Sequence, residues 1–138
     1  MRILVVEDEP LLNAQLRAAL EAAGYVVDSA ADGREASFMG EVEAYDAVVL
    51  DLGLPDGNGV DFIRDLRAWS DVPILVLSAR SNEKDKIQAL DVGADDYLTK
   101  PFGVGELPFI DLEERTIEHP GIKNGEQAHA EVLPAAVG

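Results

Sequence analysis

The run Ala47-Val48-Val49-Leu50 passes without a break into Asp51, and Gly53, Pro55, Asp56 and Gly57 follow at once. A short, continuous apolar stretch bounded by turn residues reads as a strand buried on both faces. Such a strand demands a parallel sheet with helices on either side. It also carries Asp51 to the carboxyl end of that sheet, where open α/β folds bind ligands. Ile3 to Val6 is a second run of the same kind and ends in Glu7, Asp8 and Glu9; Ile74 to Ser78 is a third. Tyr25 to Ala30 and Tyr97 to Lys100 complete a set of five strands.

Helical spacing fills the intervals. Pro10 suits a first helical turn, Leu12, Leu16, Ala19, Leu20 and Ala23 recur on one face, and Gly24 is a natural stop. Asp32 to Glu35 opens a second helix that turns Ala36, Met39 and Val42 inward. A third runs from about Val60 to Trp69 with Ile63 and Leu66 on its apolar side, and Phe62 and Trp69 are expected in or near the core. A fourth spans about Asn82 to Asp91, with Ile87 and Leu90 on the buried face and Gly93 beyond its end. Strands alternating with helices at this interval make repeated βαβ units with right-handed crossovers, a doubly wound α/β fold. Asp95 and Asp96 read as solvated surface.

The 138 residues fit one domain with a core of its own and a tail. A net charge of −16 argues against direct binding to DNA or RNA, whose phosphates need a basic footprint. The acidity favours a cationic partner or a divalent metal. There is no cysteine, and no apolar run approaches the ~20 residues that span a bilayer. With no leader-like start, the expectation is a cytoplasmic protein that does not enter a membrane.

Strand ends of a parallel sheet converge. Here they gather Glu7 and Asp8, Asp51, Ser78 and Lys100. Oxygen ligands at that density suit a hard ion, Mg²⁺ first. A carboxylate beside such an ion can act as a nucleophile toward phosphorus, with Lys100 and Ser78 holding the incoming oxygens.

Four motifs, in order, carry a family resemblance: Val5-Val6-Glu7-Asp8-Glu9; Leu50-Asp51-Leu52-Gly53-Leu54-Pro55-Asp56-Gly57; Leu77-Ser78-Ala79-Arg80; and Gly93-Ala94-Asp95-Asp96-Tyr97-Leu98-Thr99-Lys100-Pro101-Phe102. From Met1 to about Leu107 the chain resembles the receiver domain of two-component response regulators. Its loops are most like the OmpR-type winged-helix transcription regulators, and the stretch from Asp51 to Leu107 is most similar to regulators of potassium-transport operons. The resemblance implies a CheY-like sheet of order 2-1-3-4-5. It implies that Asp51 accepts a phosphoryl group from a sensor histidine kinase. Asp8, Asp51 and the Gly53 carbonyl would bind Mg²⁺, Glu7 would help through water, and Ser78 and Lys100 would contact the phosphoryl group. Tyr97 would be the switch aromatic that follows Ser78, and the Lys100-Pro101 peptide would be cis. Such a protein is a regulated acceptor rather than a turnover enzyme.

The family's fifth helix, its linker and its winged-helix domain are not recognisable. Residues 1–107 read as the receiver and 108–138 as an atypical tail. In that tail Phe109 to Ile117 weakly resembles the start of the effector domain, as though the fifth helix had been deleted. The homodimer that uses the helix 4 and strand 5 side would be altered, with Leu107 to Ile117 covering part of the exposed sheet. His119 and His129 read as solvated. Two other functions compete: an interaction module indifferent to phosphate, and a small aspartyl-phosphate hydrolase. The hydrolase is disfavoured by Gly53, where such enzymes place a second acid.

Overall fold

A computed structural model describes residues 1–55, 59–79, 83–100, 109–111 and 116–118. The order is β1 (Arg2–Val6), α1 (Pro10–Ala22), β2 (Val26–Ala30), α2 (Gly33–Val42), β3 (Ala47–Asp51), α3 (Gly59–Arg67), β4 (Ile74–Ala79), α4 (Glu83–Val92) and β5 (Asp96–Lys100). These five strands form one sheet in the order β2-β1-β3-β4-β5, and every pairing is parallel. The strand order and the doubly wound α/β class are those the sequence implied. Two further strands, β6 (Phe109–Asp111) and β7 (Thr116–Glu118), form an antiparallel pair of their own. The segment that allowed either strand or helix is therefore strand at both ends. The expected fifth-helix region, the Lys100-Pro101 peptide and both histidines lie outside the described residues.

The central strands are apolar throughout because both faces are covered. One face packs Leu4, Val6, Val48, Leu50, Ile74, Val76 and Tyr97 against α3 and α2. The other packs Ile3, Val5, Val49, Leu75, Leu77 and Leu98 against Leu16 and Leu20 of α1. Alternation along each strand assigns odd and even residues to opposite layers.

Local chemistry sets the helix ends. Glu9 caps α1 by accepting hydrogen bonds from the backbone N–H of Leu11 and Leu12, at 3.1 and 2.7 Å. Asp32 accepts from Glu35 N–H at 2.8 Å, and the Glu35 side chain accepts from Ala31 N–H at 2.8 Å, a reciprocal cap on α2. Gly24 and Gly93 follow α1 and α4 with φ of 100° and 129°.

Four expectations fail. Ile87 is exposed, and α4 buries Lys86 and Ala89 instead, with Leu90 partly buried. Val42 and Trp69 are exposed, because both lie at helix ends past the last turn that faces the sheet. Asp96 is buried and accepts from Tyr97 N–H at 2.8 Å. Asp95 is exposed, as expected, and in addition accepts from Ile74 N–H at 2.7 Å and pairs with Arg67 at 3.1 Å, tying α3 to the start of β4. Both aspartates satisfy backbone or cationic partners that periodicity does not show.

Candidate phosphoacceptor site

Register brings the expected residues together. Val6 pairs with Leu50, Asp51 with Leu77, Ser78 with Thr99, and Ala79 with Lys100. The ends of β1, β3, β4 and β5 therefore share one edge. Glu7 extends the β1 ladder through its N–H to Ala30 C=O at 3.0 Å. By alternation Glu7, Asp51 and Lys100 belong to the α1 side of the sheet, while Ser78, Tyr97 and Thr99 belong to the α4 side.

The Lys100 ammonium lies 3.2 Å from Asp51 Oδ1 and 3.3 Å from Glu7 Oε1. Both carboxylates are buried, whereas Asp8 is exposed. Oxygens of Glu7, Asp8 and Asp51 approach within 4.8 Å of one another, a spacing one cation can bridge. Burial pushes the Glu7 carboxyl up to about 7; the Glu9 N–H opposes that rise, Asp51 adds to it and Lys100 opposes it. Burial disfavours the Lys100 ammonium, yet Asp51 and Glu7 outweigh burial and hold its pKa above the ordinary value.

Two buried atoms lack hydrogen-bond partners among the described residues: Glu7 Oε1, whose contact with Lys100 is ionic only, and Ser78 Oγ. A buried hydroxyl and a buried carboxylate oxygen left open at one edge fit a site that completes its bonds with a ligand. The acidic trio has the oxygen chemistry of a Mg²⁺ site. Backbone N–H groups hold both buried carboxylates, and at Asp51 the oxygen held is the one that also meets Lys100. Glu9 N–H donates to Glu7 Oε2 at 3.1 Å and Gly53 N–H to Asp51 Oδ1 at 3.1 Å. A methyl on Gly53 would make ordinary van der Waals contact with that same oxygen, at 3.7 Å.

Tyr97 is buried. The Lys86 ammonium sits 4.1 Å from the centre of its ring, 3.4 Å from Thr99 Oγ1 and 3.1 Å from Glu83. Lys86 was not singled out from the sequence: nothing in the pattern separates a buried lysine from an exposed one. Asn13 was likewise missed; its amide donates to Glu7 C=O at 2.9 Å and its carbonyl accepts from Ser29 Oγ at 2.9 Å.

A five-stranded parallel sheet of order 2-1-3-4-5, with three carboxylates, a lysine and an open hydroxyl at its carboxyl edge, belongs to the CheY-like class of doubly wound α/β folds. Comparison with known proteins agrees: the response regulator receiver domain matches residues 3–109, and the chain belongs to that family. It is 56% identical over 105 residues to the KDP operon transcriptional regulatory protein KdpE of Escherichia coli K12, covering 76% of this chain and 47% of that protein. It is 40% identical over 149 residues to KdpE of Mycobacterium tuberculosis, covering 92% of this chain and 66% of that protein. The crystal structure of the receiver domain of the TMAO respiratory system response regulator TorR superposes with a TM-score of 0.71 at 39% identity. That match covers 75% of this chain and 86% of that one. The chain thus spans about half to two thirds of the length of these curated relatives. The second alignment is longer than this 138-residue chain, so residues of that relative have no counterpart here.

Proposed function

We propose that this chain is a phosphorylatable signalling switch in which Asp51 is the acceptor. The observation that carries the reading is the contact of Lys100 with both Asp51 and Glu7, beside Asp8, at the strand edge. A carboxylate oxygen of Asp51 attacks the phosphorus of a phosphohistidine on a sensor kinase. The phosphorus–nitrogen bond breaks, and the imidazole leaves with its electron pair and takes up a proton. Asp8, Asp51 and the Gly53 carbonyl would hold Mg²⁺, with Glu7 assisting through water; the ion supplies positive charge to the phosphoryl oxygens. Lys100 stabilises the same oxygens with its own charge. Ser78 Oγ then donates its hydrogen bond to the new phosphoryl group, and Tyr97, on the same layer, reads that shift.

Residues 1–107 act as the receiver and 108–138 as a separate, atypical tail. Dimerisation through the α4 and β5 side would then use an altered surface. The chain binds no nucleic acid itself, since its charge of −16 repels phosphate. Among the described residues no helix is long and apolar enough to cross a membrane.

Incubation with acetyl phosphate and Mg²⁺, read by intact mass, tests the reading. One phosphoryl group is expected on wild type and none on Asp51→Asn. Modification that survives the substitution overturns the assignment. An unmodified wild type that still binds its partner favours the phosphate-indifferent module.

A further inference from the structure

A cavity of about 590 Å³ opens between α2 and α3 near the amino ends of β3 and β4. None of Glu7, Asp8, Asp51, Ser78, Tyr97 or Lys100 lines it. Its floor is Leu4 and Val48 from the sheet with Phe62 and Leu66 from α3, all buried. The gap exists because α2 presents Ala36 and Gly40 to it: a methyl built on Gly40 would meet no atom within 4 Å. Glycine within a helix is less stable than alanine or leucine. The sequence therefore keeps the space open against its own helix stability.

The mouth has a definite chemistry. Glu41, Glu43 and Asp65 are exposed there, and no lysine or arginine lines the cavity. Arg2 reaches Glu43 at 3.6 Å, while Glu41 and Asp65 form no salt bridge among the described residues. Trp69 lies at the same mouth and is 62% exposed. An apolar floor, an exposed tryptophan and the carboxylates of Glu41 and Asp65 complement one kind of ligand. We propose that this cavity binds a small organic cation, an amine whose apolar body covers Phe62 and Leu66 and whose ammonium meets Trp69 and the rim carboxylates.

Trp69 is the sole tryptophan, so its fluorescence reports the site directly. The full chain is titrated with 2-naphthylmethylammonium and, in parallel, with neutral 2-naphthylmethanol, with calorimetry alongside. Saturable one-to-one binding of the amine is expected, and roughly tenfold weaker binding of the alcohol. Gly40→Leu, which fills open space, is expected to abolish binding without lowering the melting temperature. Asp65→Asn, on the surface, is expected to weaken the amine several-fold and leave the alcohol unchanged. Absence of saturable binding, equal binding of amine and alcohol, or full binding by Gly40→Leu each overturns the proposal. If Gly40→Leu does not fold, the Asp65→Asn comparison decides alone.

Discussion

Lys100 faces two buried carboxylates at once, and the site's charge balance rests on it. Lys100→Met is expected to slow phosphorylation of Asp51 by about a hundredfold, the usual effect of removing one preorganised charge partner, measured as the initial rate with acetyl phosphate. A second polar cluster acts on stability. Asp28 accepts from Tyr45 Oη at 2.8 Å and from Arg2 at 2.9 Å. Burial raises the Asp28 pKa, but these two partners outweigh it and hold it below the usual carboxylate value. A depressed folded-state pKa stabilises the fold above the unfolded value and loses that effect as pH falls through the folded one. Tyr45→Phe is expected to cost about 1 kcal/mol at neutral pH, the ordinary worth of one hydrogen bond. Urea melts should show the gap to wild type narrowing once Asp28 is protonated. Glu7, Asp51 and Ser78 were legible from sequence because each ends or follows an apolar strand, and Lys100 because it closes the fifth strand of the same alternating pattern. Asp95 and Lys86 were not, since their partners, the Ile74 N–H, an arginine and an aromatic ring, lie far along the chain, and the burial of Asp96, bonded to the next N–H, leaves no trace in the periodicity.

Elements differ in how plainly they announce their buried face. The central strands have two covered faces, so a bare apolar run suffices. α4 is different: Ile87 is exposed, while Lys86 lays its stem inward and spends its charge on Tyr97, Thr99 and Glu83. Hydrophobicity alone selects the wrong stripe there. Ile87→Ser is accordingly expected to change stability by less than about 0.5 kcal/mol. Helix ends were clearer, because glycine at positive φ has a backbone reason. The two examples are not equivalent. A methyl on Gly24 meets nothing within 4 Å, whereas one on Gly93 would lie 2.8 Å from Arg67 Cγ. That arginine is held by the carbonyls of Gly93 and Ser70 and by Asp95, so it cannot swing aside freely. Chemical denaturation should show Gly93→Ala costing roughly 2–3 kcal/mol and Gly24→Ala about 1 kcal/mol.

At the scale of the whole molecule, a net charge of −16 and an acidic trio predict a fold whose stability responds to cations. Mg²⁺ at a hundred times its dissociation constant should add about 2.7 kcal/mol by mass action, seen as a higher melting temperature than in KCl of equal ionic strength. Asp8→Ala should remove the difference while leaving the general salt effect. The sheet order adds a consequence in time. β1 lies between β2 and β3, so the ribosome releases three adjacent strands, and all three carboxylates, within the first 51 residues. Lys100 arrives with the last strand of that sheet. The ammonium that meets Asp51 and Glu7 therefore reaches the edge only after the carboxylates it offsets have been made.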